Sequence, residues 1–488
     1  MIAFLAGGAL TLAFAPFDIW PLAIGCPAVL FALWQGATPR CAAWHGFLFS
    51  SATFLAGTYW LYISIHGFGQ APIPVAVLLM LGLVSIMGAY CALIGYVATR
   101  WLPPAGAVRW LAGLPALWVL IEWFRGWFLS GFPWLSLGYT GINSWLAGLA
   151  PLTGVYGLSL VAAISAGAVI AWAFGERRLR WVALAMVAVL WGSAGLLTRV
   201  AWTQPSGAPF GVALVQGAIP QDEKWQEGKR EYTLELYRRL AEQGFGARLI
   251  VLPEASLPLL AEQLKPYLED LEHAAEQHGG TVIVGLLRYD PQSDRYYNSL
   301  FALGMPGEVY DKRRLVPFGE FFPVPARVRE WMRLMNLPYV DMTPGAPEQP
   351  LLEAAGLKLA TTICYEDAWG SLGLRALTEA KLMVNVTNDA WFGDSTAAPQ
   401  HVEIARMRSL EAGRFQIRVA NDGITAIIDA RGRVLASVPR FKPEVLRGSV
   451  VPYRGLTPYA RVGNWPIVLL CCVLVAVATA CRLTSRAP

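Results

Sequence analysis

The chain has 488 residues, of which 55% are hydrophobic and only 15% are charged. Soluble domains are about 25% charged, so much of this chain is expected to lie in a lipid bilayer. Its net charge of +5 does not indicate a nucleic-acid partner. Residues 201–460 carry 28 basic and 31 acidic side chains, a net of −3, and the remainder carries +8 beside apolar segments. There the excess sets membrane topology. The five scattered histidines show no spacing with cysteine that suits a metal site.

Eight apolar segments are predicted to span the membrane, since each approaches the roughly 20 apolar residues that a bilayer requires. Seven precede the long polar stretch and one follows it, near residues 2–15, 20–36, 43–65, 73–99, 107–125, 154–174, 180–198 and 465–482. The first two are short and could instead form a re-entrant pair. A signal peptide ending at Ala13-Phe14-Ala15 is a weaker alternative, because no basic region precedes it. We predict a seven-helix membrane domain at 1–199 and a C-terminal helix with a short tail at 461–488.

Basic residues between these segments predict the orientation of the chain, because short loops rich in Lys and Arg stay in the cytoplasm. The opposite short loops carry only Arg125 and Arg199. Both termini are then cytoplasmic, and residues 200–460 lie on the outer side. The basic side carries Arg40, Arg100, Arg109, Arg177, Arg178, Arg180, Arg482 and Arg486.

The stretch 126–152 is rich in aromatic residues and glycine and carries almost no charge. An aromatic belt at the membrane interface is the simpler interpretation. The alternative is a wall of a cleft through which lipid enters. The two interpretations are compatible, and the sequence leaves both open.

The polar stretch is predicted to be an α/β domain at 209–460, joined to the membrane domain by a linker at 200–208. Strand-like and helical segments alternate in it, which is typical of α/β folds. Helices are predicted at Leu257–Gln277 and Pro399–Gly413. Strands are predicted at Gly211–Gln216, Arg248–Leu252, Thr281–Arg288, Asn298–Leu303, Lys358–Cys364, Leu382–Thr387, Arg414–Ala420 and Thr425–Asp429.

Three reactive or charged residues lie at the edges of predicted strands: Glu254, Lys312 and Cys364. Cys364 is the only cysteine of the polar domain, so its thiol has no disulfide partner there. A thiol needs a base to become a nucleophile, and a carboxylate serves as that base. A lysine stabilises the oxyanion that forms after attack. Taken singly, each residue has a simpler explanation. Glu254 would be a solvated loop carboxylate, Lys312 would belong to a solvated basic edge, and Cys364 would be a buried thiol that only fills space.

Local motifs around these three residues resemble those of the nitrilase-like carbon–nitrogen hydrolases, whose triad is Glu, Lys and Cys. The whole chain more closely resembles the membrane branch of that family, the apolipoprotein N-acyltransferases. The matching motifs are Leu252-Pro253-Glu254, Asp311-Lys312-Arg313, Ile363-Cys364-Tyr365-Glu366, Ala13-Phe14-Ala15-Pro16-Phe17-Asp18, Val316-Pro317-Phe318-Gly319-Glu320-Phe321 and Asn388-Asp389-Ala390-Trp391-Phe392-Gly393.

This resemblance implies an αββα sandwich and a cofactor-free acyl transfer with Glu254, Lys312 and Cys364 as the catalytic residues. Cys364 would take an acyl group from a phospholipid, typically phosphatidylethanolamine, and pass it to the N-terminal amine of a diacylglyceryl-cysteine lipoprotein. The enzyme would sit in the bacterial inner membrane, with its catalytic domain in the periplasm. The resemblance also implies supporting or substrate-binding roles for Trp225, Glu320, Tyr365, Glu366, Asn388 and Trp391.

Two other functions remain as alternatives. A membrane-anchored nitrilase or amidase would use the same triad but hydrolyse its thioester with water, although such an enzyme needs no eight-helix membrane body. A transporter with an exported sensor domain is disfavoured, because the predicted helices contain few ionisable residues, chiefly Asp18, His45 and Glu122.

The segment from Phe321 to Tyr339 is unusually apolar for an exported loop. It is either ordinary core or a flexible arm that guides a lipid tail to Cys364. Trp331, Met332 and Met335 would contact the acyl chain in the second case.

Overall fold

The computed structural model describes residues 1–304, 309–321 and 341–484. The arm hypothesis concerns residues 321–339, and of these all but Phe321 lie outside the described residues. Thirteen α-helices are described: α1 Ile2–Leu10, α2 Leu22–Leu33, α3 Pro39–Gly57, α4 Trp60–Tyr62, α5 Ile73–Trp101, α6 Leu114–Arg125, α7 Ala150–Phe174, α8 Arg177–Leu197, α9 Arg230–Gln243, α10 Lys265–Gln277, α11 Ala397–Ala412, α12 Pro458–Val462 and α13 Trp465–Thr484.

The first 199 residues form helices joined by turns and irregular segments, with no strand among them. Four helical segments of the described chain are long and apolar enough to cross a bilayer: Ile73–Trp101, Trp145–Phe174, Arg177–Leu197 and Trp465–Thr484. A fifth span is possible if α3 and the segment Trp60–Phe68, which are bent by 56° to one another, cross together. The helices α1 and α2 are too short to span a bilayer by themselves. The eight-span topology therefore stays a prediction.

The described residues of the polar domain form fourteen strands, most of them in two six-stranded sheets. One sheet has the order β13-β2-β3-β4-β5-β6 and the other has the order β12-β11-β10-β9-β8-β7. The strands are β1 Gln204–Pro205, β2 Phe210–Gln216, β3 Leu249–Val251, β4 Thr281–Asp290, β5 Arg295–Ala302, β6 Val309–Asp311, β7 Leu352–Ala354, β8 Leu357–Ile363, β9 Leu382–Thr387, β10 Gln416–Ala420, β11 Ala426–Ile428, β12 Val434–Ser437, β13 Glu444–Val450 and β14 Tyr453–Arg454.

The two sheets pack face to face, with helices on the outer faces. Along β2, Val212 and Leu214 belong to the core between the sheets, whereas Ala213 and Val215 pack with the helices α9 and α10. This alternation follows from the two-residue period of a strand, which here is buried on both faces. The helix α11 covers the outer face of the second sheet. The predicted αββα sandwich is confirmed.

Several predicted boundaries are wrong. The helix predicted at Leu257–Gln277 begins at Lys265, because Leu257–Leu260 is not helical and only a single 3-10 turn, Ala261–Gln263, precedes α10. Proline at position 258 contributes, since it restricts the residue before it to an extended conformation. The linker is not wholly irregular: β1 lies within it and pairs with β14.

Candidate active site

Three strand ends bring Glu254, Lys312 and Cys364 to one place at the edge of the sandwich. Glu254 follows β3, Lys312 follows β6 and Cys364 follows β8. The Lys312 Nζ atom lies 3.0 Å from Glu254 Oε1. All three side chains are buried. The charges of Glu254 and Lys312 both act on the Cys364 thiol, so the three groups predicted from the sequence form one cluster.

Lys312 lies between two carboxylates. Its Nζ donates to Glu254 Oε1 at 3.0 Å and to Glu320 Oε1 at 2.9 Å. The amide of Asn298 donates to the same two oxygens, at 2.7 and 3.0 Å. Burial by itself would lower the pKa of Lys312, but Glu254 and Glu320 outweigh it and raise the pKa well above its usual value. Lys312 is therefore a permanent cation in this site.

Glu254 is ionised although it is buried. Burial acts to raise its pKa, but the ammonium of Lys312, with the hydrogen bonds from Lys312 and Asn298, gives a net lowering. Its second oxygen, Oε2, accepts from the backbone N–H of Asn388 at 2.8 Å. A fixed carboxylate beside a thiol has the position and the charge of a general base.

Cys364 stands on a strained turn. Its φ of +54° lies in the left-handed region, which is unfavourable for a residue with a side chain. The turn is held at the Cys364 carbonyl, which accepts from His401 Nε2 at 3.1 Å and from Asn385 Nδ2 at 3.4 Å. Burial raises the pKa of the Cys364 thiol, and Glu254 raises it further. The resting site therefore holds a neutral thiol next to a carboxylate, and attack requires proton transfer.

Glu366 joins the segment that carries Lys312 to the turn that carries the thiol. It accepts from the backbone N–H groups of Arg313 at 2.7 Å and Arg314 at 3.1 Å. It also accepts from Ile363 N and from the Tyr310 hydroxyl, both at 2.8 Å. Glu366 is fully buried. This one side chain therefore fixes the distance between two segments that are far apart in the sequence but adjacent in the folded protein.

Tyr365 connects the turn that carries Cys364 to the membrane part of the chain. Its hydroxyl donates to the carbonyl oxygen of Gly131 at 3.1 Å. Its ring packs near Trp134 and Phe132, with centroids 6.2 and 6.4 Å away. The thiol is therefore one residue away from the contact between the two parts of the molecule.

Trp225 and Trp391 line one cavity of about 320 Å³ beside the cluster. Asn388 connects the cavity to Glu254, because its side chain donates to Gln221 Oε1 at 2.8 Å while its backbone N–H donates to Glu254. The indole of Trp225 is 46% exposed. Both parts of the chain contribute to the lining: Gly67, Phe68, Gln70, Gln221, Asp222, Trp225, Gln226 and Trp391.

Sequence reasoning missed three buried polar residues at this site. Asn298 binds both carboxylates, and Lys224 Nζ donates to the Glu254 carbonyl at 3.4 Å. Burial lowers the pKa of Lys224 to about 8. His401 places Nδ1 3.0 Å from Asp389 Oδ1 and donates through Nε2 to Cys364. The available signal was weak: Asn298 lies in a strand of mixed polarity, and the other two lie in ordinary loop and helix sequence.

The sheets and the site define the class of protein. Residues 211–454 match the family described as carbon–nitrogen hydrolase. Among solved structures, the chain is similar to Saccharomyces cerevisiae Nit3, a member of branch 10 of the nitrilase superfamily. That similarity has 17% identity and a TM-score of 0.39, over 51% of this chain and 93% of that one. Because residues 211–454 match the carbon–nitrogen hydrolase family, the polar domain is a carbon–nitrogen hydrolase domain, and its αββα sandwich is the nitrilase-like fold.

The membrane part narrows the assignment. Residues 6–168 match the family described as apolipoprotein N-acyltransferase N-terminal domain. A protein of Methylococcus capsulatus named apolipoprotein N-acyltransferase is 41% identical over 99% of this chain and 96% of its own length. A protein of the same name from Azotobacter vinelandii is 40% identical over all of this chain and 96% of its own length. The chain belongs to the apolipoprotein N-acyltransferase family.

Proposed function

We propose that this protein transfers an acyl chain from a phospholipid to the N-terminal amine of diacylglyceryl-cysteine lipoproteins. The acyl chain passes through a thioester on Cys364, with phosphatidylethanolamine as the donor. The observation that carries the proposal is the position of the cluster of Glu254, Lys312 and Cys364 directly against the membrane part of the chain. A site for a soluble substrate has no need of that contact.

Acylation begins with the neutral thiol. Glu254 takes the proton of Cys364 as the sulfur attacks the ester carbonyl of the phospholipid. Lys312 is the cation that stabilises the resulting oxyanion, together with a backbone N–H group. When the tetrahedral intermediate collapses, Glu254 returns the proton to the departing glycerol oxygen. The products are a lysophospholipid and an acyl thioester on Cys364.

Deacylation uses the same groups in reverse. The neutral amine of the lipoprotein attacks the thioester carbonyl, and Glu254 takes one proton from that amine. The proton then passes to the Cys364 sulfur as the thiolate leaves, which restores the thiol and forms the amide. The other residues of the site act indirectly: Glu320 and Asn298 hold Lys312 and Glu254, and Glu366 holds the two segments together.

We further propose a topology in which both termini lie in the cytoplasm of a bacterium and residues 209–460 face the periplasm. The distribution of arginines supports it, as does the apolar character of the helices that precede and follow the nitrilase-like domain. The donor is then a phospholipid of the periplasmic leaflet.

Mass spectrometry of Cys364 tests the proposal. The purified protein, reconstituted in phosphatidylethanolamine vesicles, is expected to gain one acyl group, and Cys364→Ala is expected to gain none. Adding a diacylglyceryl lipopeptide should remove the acyl group and yield the triacylated peptide. An adduct that is lost to water at the same rate without the peptide would instead indicate a hydrolase of the amidase type. No adduct on the unaltered protein would contradict the proposed donor.

A further inference from the structure

The aromatic stretch after α6 ends in a short protruding loop, Gly126–Gly131, here called the aromatic loop. Its three tip residues are exposed: 46% for Trp127, 42% for Phe128 and 66% for Leu129. Three neighbouring large apolar side chains at a loop tip are a poor surface for contact with water. The tip therefore needs an apolar partner.

Both ends of the aromatic loop are bound to the catalytic domain just after the nucleophile. The indole N–H of Trp369 donates to the Gly126 carbonyl at 2.7 Å. The hydroxyl of Tyr365 donates to the Gly131 carbonyl at 3.1 Å. Tyr365 is the residue that follows Cys364. The aromatic loop is therefore hydrogen-bonded to the residue next to the Cys364 thiol.

The shape of the aromatic loop is fixed rather than adaptable. Leu129, Ser130 and Gly131 are consecutive residues with positive φ, of 53°, 71° and 79°. A Cβ atom at Gly131 would lie only 2.2 Å from the carbonyl oxygen of Gly126. Glycine is required there because the two ends of the loop pass so close to each other. The tip is held outward and cannot fold back to cover itself without breaking this turn.

The aromatic loop is continuous with the surface that faces lipid. The helix α6 runs directly into it, and the Trp127 ring lies 5.5 Å from that of Trp123. Trp123 in turn lies 6.0 Å from Trp465, the first residue of the candidate span α13. Tryptophan is enriched at the level of the lipid headgroups. This row of rings places the tip at the bilayer surface, where the ester of a phospholipid lies.

We propose that the aromatic loop is the docking surface for the acyl-donor phospholipid, and that it guides the lipid ester to Cys364. The inference rests on the proposed function. A phospholipid whose ester reaches a buried thiol must withdraw part of its acyl chain from its neighbours in the bilayer. Trp127, Phe128 and Leu129 replace those lost apolar contacts. The bonds from Tyr365 and Trp369 keep this surface in register with the nucleophile turn.

The alternative is an ordinary interfacial belt, and the chain contains a matched control for it. Trp145 lies between the same two helices, α6 and α7, and hence on the same side of the membrane. It is 65% exposed, and its ring packs on Gly195 of α8 rather than on the catalytic turn. If Trp127 belongs to an ordinary belt, its replacement should have the same effect on acylation as replacement of Trp145. If it belongs to a docking surface, only replacement of Trp127 should slow acylation by the phospholipid.

The experiment compares Trp127→Ser, Phe128→Ser, Leu129→Ser and Trp145→Ser in the full chain. Two rates of Cys364 acylation are measured by intact mass. One donor is phosphatidylethanolamine in reconstituted vesicles, and the other is p-nitrophenyl butyrate, a soluble short-chain ester, in detergent. The three loop variants should lose at least tenfold with vesicles and stay within twofold of the unaltered protein with the soluble ester. Trp145→Ser should stay within twofold with both donors.

A second variant tests the connection between the aromatic loop and the turn. Trp369→Phe keeps a ring but removes the N–H that holds Gly126, and it should reproduce the selective loss with vesicles. An equal loss in Trp145→Ser, or an equal loss on both donors with a lower Tm, would overturn the inference. If the unaltered protein forms no phospholipid adduct, both the proposed function and this inference are overturned. If the adduct forms equally fast in the loop variants, the inference alone is overturned.

Discussion

At the scale of single residues, the site balances charges that could not be buried separately. An isolated buried ion is very costly, and a buried pair is tolerated only when further hydrogen bonds satisfy it. Lys312 meets this condition with Glu254, Glu320 and the amide of Asn298. Burial, together with the charge of Glu254, raises the pKa of Cys364 and leaves its thiol protonated at rest. In the proposed mechanism, catalysis therefore depends on transfer of the Cys364 proton to Glu254.

The first prediction concerns Glu254→Gln, which keeps the shape of the side chain but removes the base. Loss of a general base typically lowers the rate by about 10²–10⁴-fold, and we expect acylation of Cys364 to fall in this range. The protein should still fold, since Glu320 continues to pair with Lys312. The measurement is the rate of adduct formation by mass spectrometry, with circular dichroism as the folding control. A rate within tenfold of the unaltered protein would contradict the role of Glu254.

The residues that sequence analysis found and missed differ in a physical way. Glu254 and Cys364 lie at the ends of predicted strands, which are where α/β domains gather their sites, whereas Lys312 was found through the motif Asp311-Lys312-Arg313. Asn298 and Lys224 lack such a mark, because their importance comes from which carboxylate or carbonyl the fold places near them. Long-range contacts of this kind have no signature within the local sequence.

At the scale of elements, the site depends on two loops that are distant in sequence. Glu366 connects them, with Oε1 accepting from Arg313 and Arg314 and Oε2 accepting from Ile363 and the Tyr310 hydroxyl. Both oxygens of this side chain face donors. An amide in its place would direct an NH₂ group at one pair of donors.

We therefore predict that Glu366→Gln slows acylation of Cys364 at least tenfold and lowers the Tm. A buried donor that loses its acceptor costs about 1–3 kcal/mol, which is enough to separate the two loops. Glu353→Gln is the matched control, because Glu353 is a partly exposed carboxylate of β7. Thermal unfolding in detergent and the adduct rate should both change for Glu366→Gln only. Normal values for both would show that Glu366 does not fix the loop spacing.

The hydrophobic pattern of the sequence predicts some elements of this fold and misses others. The strand predicted at Leu382–Thr387 is found with the same bounds, since a run of apolar and β-branched residues is typical of a buried strand. The helix α9 and the edge strands β6, β7, β12 and β13 were not predicted. No residue of β12 is buried, and in β13 only Leu446 and Val450 are buried. Such edge strands have little hydrophobic pattern to indicate them, and only pairing with a neighbour defines them.

At the scale of the whole molecule, the helix α11 docks the nitrilase-like domain on the membrane part. The side chain of Gln400 accepts from the indole N–H groups of Trp60 at 3.2 Å and Trp134 at 2.8 Å, and donates to the Gly57 carbonyl at 3.1 Å. Glu411 accepts from Val155 N at 2.8 Å. Sequence analysis predicted both parts of the chain but not this contact, because polar residues of one helix give no sign of which surface they meet.

One docking residue makes the stability of the molecule depend on pH. Glu403 of α11 is buried, and its Oε2 accepts from the backbone N–H of Ala15 at 3.4 Å. Burial first, and the nearby Asp18 second, raise the pKa of Glu403, while Ala15 and Arg406 oppose the rise, and the net value is about 8. An unfolded glutamate titrates near 4.3. The folded state thus holds a proton that the unfolded state releases between these two values.

The direction in which stability changes with pH follows from the linkage between proton binding and folding. A folded pKa above the unfolded one contributes stability that is fully present below about 4.3 and is lost as the pH rises through about 8. The Tm of the unaltered protein should therefore fall by a few degrees between pH 6 and pH 9. Glu403→Gln mimics the neutral acid, so it should flatten this part of the profile and raise the Tm at pH 9. Glu379→Gln, at an exposed pair with Lys358, is the control and should leave the slope unchanged. An unaltered slope in Glu403→Gln would mean that another group governs the docking of the two parts.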